Sequence, residues 1–470
     1  MVFHSSEFLI FLLTIFLCYW GLGKNFKTQN KLLLAASYFF YGWWDWRFLF
    51  LLLFSSLLDY VVGLNINKSN DNKRNWLMLS IICNIAVLSF FKYFNFFIES
   101  FQVMAAFLGF APNEFTLSII LPVGISFYTF QSLSYTIDIY RGSLKPTKNL
   151  VSFLAFISFF PQLVAGPIER ASNLLPQIEG QRKFHIDLFN EGVLQILVGL
   201  FRKIVIADTL AIYVDSVFAT PQLFGATTIL LASFFFAFQI YYDFAGYSDM
   251  AIGIAKLFGF RFHQNFALPY FSKSVTSFWR KWHISFSTWL RDYIYIPLGG
   301  NRNGLKRTYF NVVVTMLVGG LWHGAAWSFV LWGGLHGIVL AIEKWLGSKR
   351  WKFANGNLNW FGYIYSFSLI VVLLIIFRSN SLEATLVCAE SLSQFTFELP
   401  FIGDASVMGK SIVVLTFGLA LDAWLKFKSV DLENLGSCLP YTGLVSLSVV
   451  ILIITVLFYS GSNSFIYFNF

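Results

Sequence analysis

His323 stands in LVGGLWHGAAWSFVLWGGLHG, a stretch with no charged residue between Arg307 and Glu343. An ionisable group in so apolar a run is expensive to place against lipid, which marks it as a functional candidate. A neutral imidazole there has the right basicity to take a proton from a hydroxyl near neutral pH. Gly319, Gly320 and Gly324 surround it with small residues, allowing a helix or a ligand to come close. A histidine bonded between helices as structural glue explains the same placement, and the spacing leaves both open.

The second candidate lies in SFWRKWHISFSTWLRDYIYIPLGGNR, Ser277 to Arg302. Read as one amphipathic helix followed by a turn, it carries Phe278, Trp282, Phe286 and Trp289 on an apolar stripe. Arg280, His283, Ser287 and Arg291 then fall within about a quarter-turn of one another, giving a basic face with an imidazole. Such a face suits a re-entrant helix beside an anionic substrate, and equally an interfacial helix whose arginines meet lipid headgroups. His336 follows His323 by thirteen positions, which on a continuous helix is about 220° past three full turns and points it away. No HExxH or HxH occurs, and His4, His185 and His263 are isolated, so no metal is expected. The stripe Tyr128, Gln131, Tyr135 and Asp138 and the cluster Gln239, Asp243, Ser248 and Asp249 read as interhelical hydrogen-bonding networks. There is no GxSxG elbow, GxxxxGK[ST] loop or GxGxxG turn, which counts against a hydrolase, an ATP-driven pump or a nicotinamide enzyme.

The elements that hold these residues must be membrane helices. The 470 residues are 57% hydrophobic, 20% aromatic and only 12% charged, and mean hydropathy is +0.65. An ordinary soluble enzyme carries about 25% charged residues. Apolar runs at about 20 residues per span allow roughly ten to twelve transmembrane helices, with shorter pieces that cannot cross. The expected class is an all-α polytopic membrane protein forming a single domain over 1–470.

The net charge of +9 sits mainly in short loops, among them Lys24, Lys27 and Lys31, then Arg302, Lys306 and Arg307, then Lys349, Arg350 and Lys352. That pattern is the positive-inside rule and not a nucleic-acid footprint, so no nucleic-acid partner is expected. With those loops inside, the first run, Phe8 to Leu22, is a retained span and both termini come out extracytoplasmic. Cys18, Cys83, Cys388 and Cys438 are scattered singly and suggest no disulfide framework. Between Ala165 and Asn303 the runs are short and broken by prolines, a texture tolerated at depth only around protein or a water-filled cavity.

Together these segments resemble the membrane-bound O-acyltransferase family, in its bacterial branch of alginate O-acetylation membrane subunits. The resemblance runs over nearly the whole chain. It is carried by LPVGISFYTFQSLSYTIDIYRG (Leu121 to Gly142), FFPQLVAGPIER (Phe159 to Arg170), YYDFAGYSDMAIGIAKLFGF (Tyr241 to Phe260), NFALPY (Asn265 to Tyr270), the WHIS segment and LWHGAAW. It implies a ring of helices around a thinned centre with a tunnel. The family's near-invariant histidine falls on His323, and its second position, histidine or asparagine, on His283.

The expected reaction follows from the resemblance. Acetyl is taken from a cytoplasmic thioester, acetyl-CoA, for O-acetylation of an envelope polysaccharide, with no bound cofactor. His323 deprotonates the acceptor, His283 positions or polarises the thioester, Arg280 and Arg291 meet the donor's phosphates, and Trp279 and Trp322 complete the substrate-binding set. The C-terminal FIYFNF, 465–470, is similar to the FxYxxF ending of envelope acylation systems and implies an acyl relay on Tyr467; an aromatic anchor at the membrane interface is its other reading. Final transfer is expected from an extracytoplasmic serine-esterase-like (SGNH) partner, with the chain in the bacterial inner membrane among its lipids. D-alanyl transfer to teichoic acid, and a transporter or secretion scaffold with structural histidines, are the alternatives.

Overall fold

The computed structural model describes residues 1–69, 71–110, 116–164, 166–348, 359–379, 381–395, 397–428, 430, 432, 435–438, 440–459 and 465. Among them every regular element is helical and none is a strand. The polar residues available at helix starts are used as caps: the Ser5 side chain accepts from Phe8 N, Asn149 from Ser152 N, and Ser274 from Ser277 N. Six helical segments are long and apolar enough to cross a bilayer, by length and composition. They are Phe26–Lys68, Lys73–Phe107, Ala226–Leu257, Trp327–Gly347, Trp360–Arg378 and Ala405–Lys428.

The chain divides into two compact units. The first comprises residues 1–192 and 254–263. It contains α1 (Ser6–Gly21), α2 (Phe26–Asp45), α3 (Leu49–Lys68), α4 (Lys73–Leu88), α5 (Phe94–Phe107), α6 (Ile125–Tyr140), α7 (Leu150–Ser158) and α8 (Ala171–Glu179). Its core is aromatic, with Phe153, Phe156, Phe159 and Phe160 fully buried. The polar stripe on α6 faces other helices: Gln131 Nε2 donates to Phe156 O at 3.1 Å. A buried carboxylate, Asp59, accepts from Ser80 Oγ at 2.6 Å on one oxygen and from Asn84 Nδ2 at 2.9 Å and Ser132 Oγ on the other, so both oxygens are bonded.

The second unit comprises residues 193–253 and 264–470. Helix α9 (Ile186–Leu200) leads through a π-helical turn, Phe201–Ala207, into α10 (Asp208–Phe218). Helix α11 (Ala226–Leu257) follows, with α12 (Val275–Trp279), α13 (Ile284–Leu290), α14 (Gly304–His323) and α15 (Trp327–Ser348). Further along are α16 (Asn359–Arg378), α17 (Leu382–Ser393), α18 (Ala405–Lys428) and α19 (Tyr441–Leu457). The expected shortness of the central runs does not hold for α11, a 32-residue helix whose apolar window is 83% buried within the protein.

Buried charges tie this unit together. Arg202, on the π-turn, bridges Asp249 of α11 at 2.7 Å and Asp422 of α18 at 2.8 Å. Lys203 beside it pairs with Asp243 at 2.6 Å and Asp208 at 2.7 Å. Helices α14 and α15 pack as a tight hairpin. A Cβ on Gly320 would lie 2.2 Å from Phe329 O, and one on Gly333 2.3 Å from Met316 O, so only glycine permits this approach.

Candidate active site

The local structure around both histidines departs from the sequence expectation. The segment from Ser277 is not one helix: α12 ends at Trp279 and α13 begins at Ile284. His283 between them takes a left-handed backbone, φ +43°, strained for a residue with a side chain. The break is clipped in place by backbone bonds from Ile284 N to Asn265 O (2.9 Å) and from Ala267 N to Lys281 O (3.0 Å). The imidazole therefore leaves the arginine face. Arg280, Ser287 and Arg291 line a large cavity, whereas His283 is fully buried between aromatic rings.

The second departure concerns His336. The apolar run through His323 is interrupted at Gly324–Ala326, where the chain turns from α14 into α15. On a continuous helix His336 would point away from His323. In the hairpin both histidines flank Trp332, at ring distances of 5.2 and 4.7 Å, and both line one small cavity of about 10 Å³, room for about one water.

His323 itself, 3% exposed, closes α14 inside an aromatic box. Phe286, Trp322, Trp332 and Phe377 lie 5.0 to 5.5 Å from its ring. Phe286 stacks on Trp322 at 4.2 Å and also meets His283 at 5.0 Å, so one stacked pair contacts both imidazoles. Asn265 holds the second one: its Oδ1 lies 3.2 Å from His283 Nδ1, 3.2 Å from Ser285 N and 2.9 Å from Ser285 Oγ. Its Nδ2 donates to Ser248 Oγ at 3.1 Å. Burial pushes the His283 imidazole down to about 3, so the ring is neutral. Phe465 is also buried, against Phe244 and Tyr247, and Phe244 is 4.6 Å from His283.

The large cavity measures about 1490 Å³, above the roughly 300–1,000 Å³ of ordinary ligand pockets. Its walls carry Lys273, Arg280, Arg291 and Lys344, and among the described residues Glu343 is the only acidic side chain lining it. Glu343 is committed elsewhere, accepting from Val275 N, Thr276 N and Thr276 Oγ1 at 2.6 to 2.8 Å, where it caps α12. Four basic side chains against one acid leave the wall cationic and otherwise largely apolar, with Arg291 also paired to Asp292 at 2.7 Å. Trp279 belongs to both places: it lines this cavity, and its Nε1 donates to His336 Nδ1 at 3.3 Å.

Of the residues singled out from sequence, His323, His283 and Trp322 come together in the aromatic box, and Arg280, Arg291 and Trp279 line the cavity. Tyr467 lies outside the described residues. Asn265, Phe286 and His336 had no assigned role from sequence. The NFALPY segment was the signal for Asn265, since a short polar interruption among aromatics invites the question of what the amide bonds. Among the described residues no group of three or more His, Cys, Asp or Glu side chains could hold a metal ion.

These features define a multi-pass, all-helical membrane protein with paired buried imidazoles in one of its units. The pattern of MBOAT, the membrane-bound O-acyltransferase family, matches residues 144–382. The chain belongs to this family and is an O-acyltransferase. It is 43% identical to the probable alginate O-acetylase AlgI of Pseudomonas aeruginosa over 422 residues, 88% of this chain and 79% of that one. Similarity extends to the peptidoglycan O-acetyltransferase of Helicobacter pylori, 36% identical over 77% of this chain and 73% of that protein. The teichoic acid D-alanyltransferase of Streptococcus thermophilus is 29% identical over 50% of this chain and 60% of its own length.

Proposed function

We propose that the protein takes an acetyl group from a cytoplasmic thioester, acetyl-CoA, and carries it through the inner membrane for O-acetylation of an envelope polysaccharide. The observation that carries this reading is the juxtaposition of a cationic cavity with the aromatic box through Trp279 and His336. An acyl donor whose head bears phosphates finds Arg280, Arg291, Lys273 and Lys344 on the cavity wall. The chemical step needs only groups on the chain. His323 removes the acceptor's hydroxyl proton as its oxygen bonds the thioester carbonyl carbon; the C–S bond breaks, and the departing thiolate takes that proton from the imidazolium.

The acceptor on this chain is Tyr467. A phenol has a pKa near 10 and needs a base, which His323 supplies. Phe465, two residues before it, is buried against Phe244, whose ring touches His283, and two residues of chain span at most about 7 Å. With the basic loops inside, both termini are extracytoplasmic, so the acetylated tail hands its cargo to an extracytoplasmic serine-esterase-like partner that acylates the polymer. Acetyl is favoured over D-alanyl because the acetylating relatives match most of the chain at 36 to 43% identity, against half of it at 29%.

Peptide mass analysis of the protein purified from acetylating cells tests the relay. A tail peptide heavier by one acetyl group is expected, with the modification on Tyr467 and absent from Tyr467→Phe. An unmodified tyrosine together with undiminished polymer acetylation in the variant contradicts it.

A further inference from the structure

The hydrogen bonds around Asn265 determine which nitrogen of His283 carries the proton. Three groups converge on Asn265 Oδ1: Ser285 N at 3.2 Å, Ser285 Oγ at 2.9 Å and His283 Nδ1 at 3.2 Å. A backbone N–H can only donate, so the carboxamide atom facing it is the oxygen; turning the amide over would set NH₂ against N–H. The other end agrees, because Nδ2 then donates to Ser248 Oγ at 3.1 Å. With an oxygen before it, His283 Nδ1 is the donor. A neutral imidazole with its proton on Nδ1 presents a lone pair at Nε2.

The ring is held in this pose from several sides. Phe244 and Phe286 pack on it at 4.6 and 5.0 Å, and the left-handed backbone of His283 is clipped to the Asn265 segment by the Ile284 N to Asn265 O bond. Strain of this kind persists where surrounding structure over-determines it, and it sits where a side chain has to be aimed.

We infer that His283 meets substrate as a hydrogen-bond acceptor through Nε2, facing an O–H or N–H of the reactants, and that Asn265 is the positioning residue that sets this tautomer. Polarising a thioester carbonyl requires a donor, so that task falls to another group. The partner hydrogen belongs either to the acceptor hydroxyl or to an amide N–H on the donor's arm. The inference rests on the reading of the aromatic box as the acyl-transfer site, but the tautomer can be read without turnover.

The measurement is nitrogen NMR of the full chain in detergent micelles, labelled with ¹⁵N-histidine, the His283 signals being those lost in His283→Asn. A protonated Nδ1 and an unprotonated Nε2 are expected near neutral pH, with that pattern lost in Asn265→Leu. A protonated Nε2 in the wild type, or an unchanged pattern in Asn265→Leu, overturns the inference. Kinetics supply the second readout. Asn265→Asp keeps an acceptor at Nδ1 and favours the imidazolium, so the acid limb of the rate profile moves to higher pH with activity retained within about tenfold. Asn265→Leu loses about a hundredfold. A loss expressed in the donor's KM assigns the partner to the amide, and one expressed in kcat assigns it to the hydroxyl. Equal losses in both variants with no shift of the profile mark Asn265 as merely structural and overturn its role.

Discussion

Replacing His323 with alanine is expected to lower polysaccharide O-acetylation in cells by at least about a hundredfold at matched protein level, within the range that a general base contributes. The size of the effect follows from the setting. His323 is 3% exposed inside rings of Phe286, Trp322, Trp332 and Phe377, so bulk water has no ready route to replace its basic nitrogen. Alanine also empties part of this box, and large-to-small changes in packed cores cost about 2–5 kcal/mol. His323→Gln fills most of the space and separates the two effects: it should be as inactive as alanine while restoring the amount of folded protein. Acetylation near the wild-type level in either variant, measured as ester content of the isolated polymer, contradicts the assignment.

The largest effect on stability is expected from Arg202→Met. Its guanidinium lies between Asp249 and Asp422 at 2.7 and 2.8 Å, with side-chain exposures of 5%, 12% and 4%. Tyr242 OH donates to the second oxygen of Asp422 at 3.0 Å, so the network has few spare partners. Methionine fills the arginine's volume but strands two carboxylates in a low-dielectric interior, a change worth about 3–5 kcal/mol of destabilisation. Size-exclusion of the detergent extract should show the folded peak lost or its melting point sharply reduced. The triple variant with Asp249→Asn and Asp422→Asn removes the stranded charge and should regain most of the peak. A stable Arg202→Met protein, or a triple variant no better than the single one, shows that the bridge does not carry this energy.

How much of this was legible in the sequence depended on the range of the interaction. Helix positions were local and therefore readable: the first apolar run, Phe8 to Leu22, nearly coincides with α1, Ser6–Gly21. His323 was readable because it is one ionisable group in a long uncharged stretch. The turn after it was not, since Gly324, Ala325 and Ala326 sit in an unbroken small and apolar run whose helical spacing continues on both sides. What breaks the helix there is tertiary: Gly320 and Gly333 let α14 and α15 approach backbone to backbone, which rewards a hairpin over one long helix. The same reason hid the position of His336.

For His283 the helical wheel failed because the bonds that hold its left-handed turn come from Asn265, eighteen residues earlier. Arg202 and Lys203 are two charges in an otherwise mostly apolar stretch, but the partner Asp422 of Arg202 is 220 positions away, beyond any local pattern. The cationic cavity was half legible: Arg280 and Arg291 follow from the amphipathic segment, whereas Lys273, Lys344 and the commitment of Glu343 to α12 emerge only from packing.

The most direct test of the central claim is thiol release by the purified chain. Protein in detergent is offered acetyl-CoA with a labelled acetyl group, and free thiol and protein-bound label are followed together. The account predicts thiol release by the wild type, label appearing on the protein, inhibition by free CoA and neither signal from His323→Gln. Absence of thiol release from well-folded wild-type protein, or release at the same rate from His323→Gln, contradicts it.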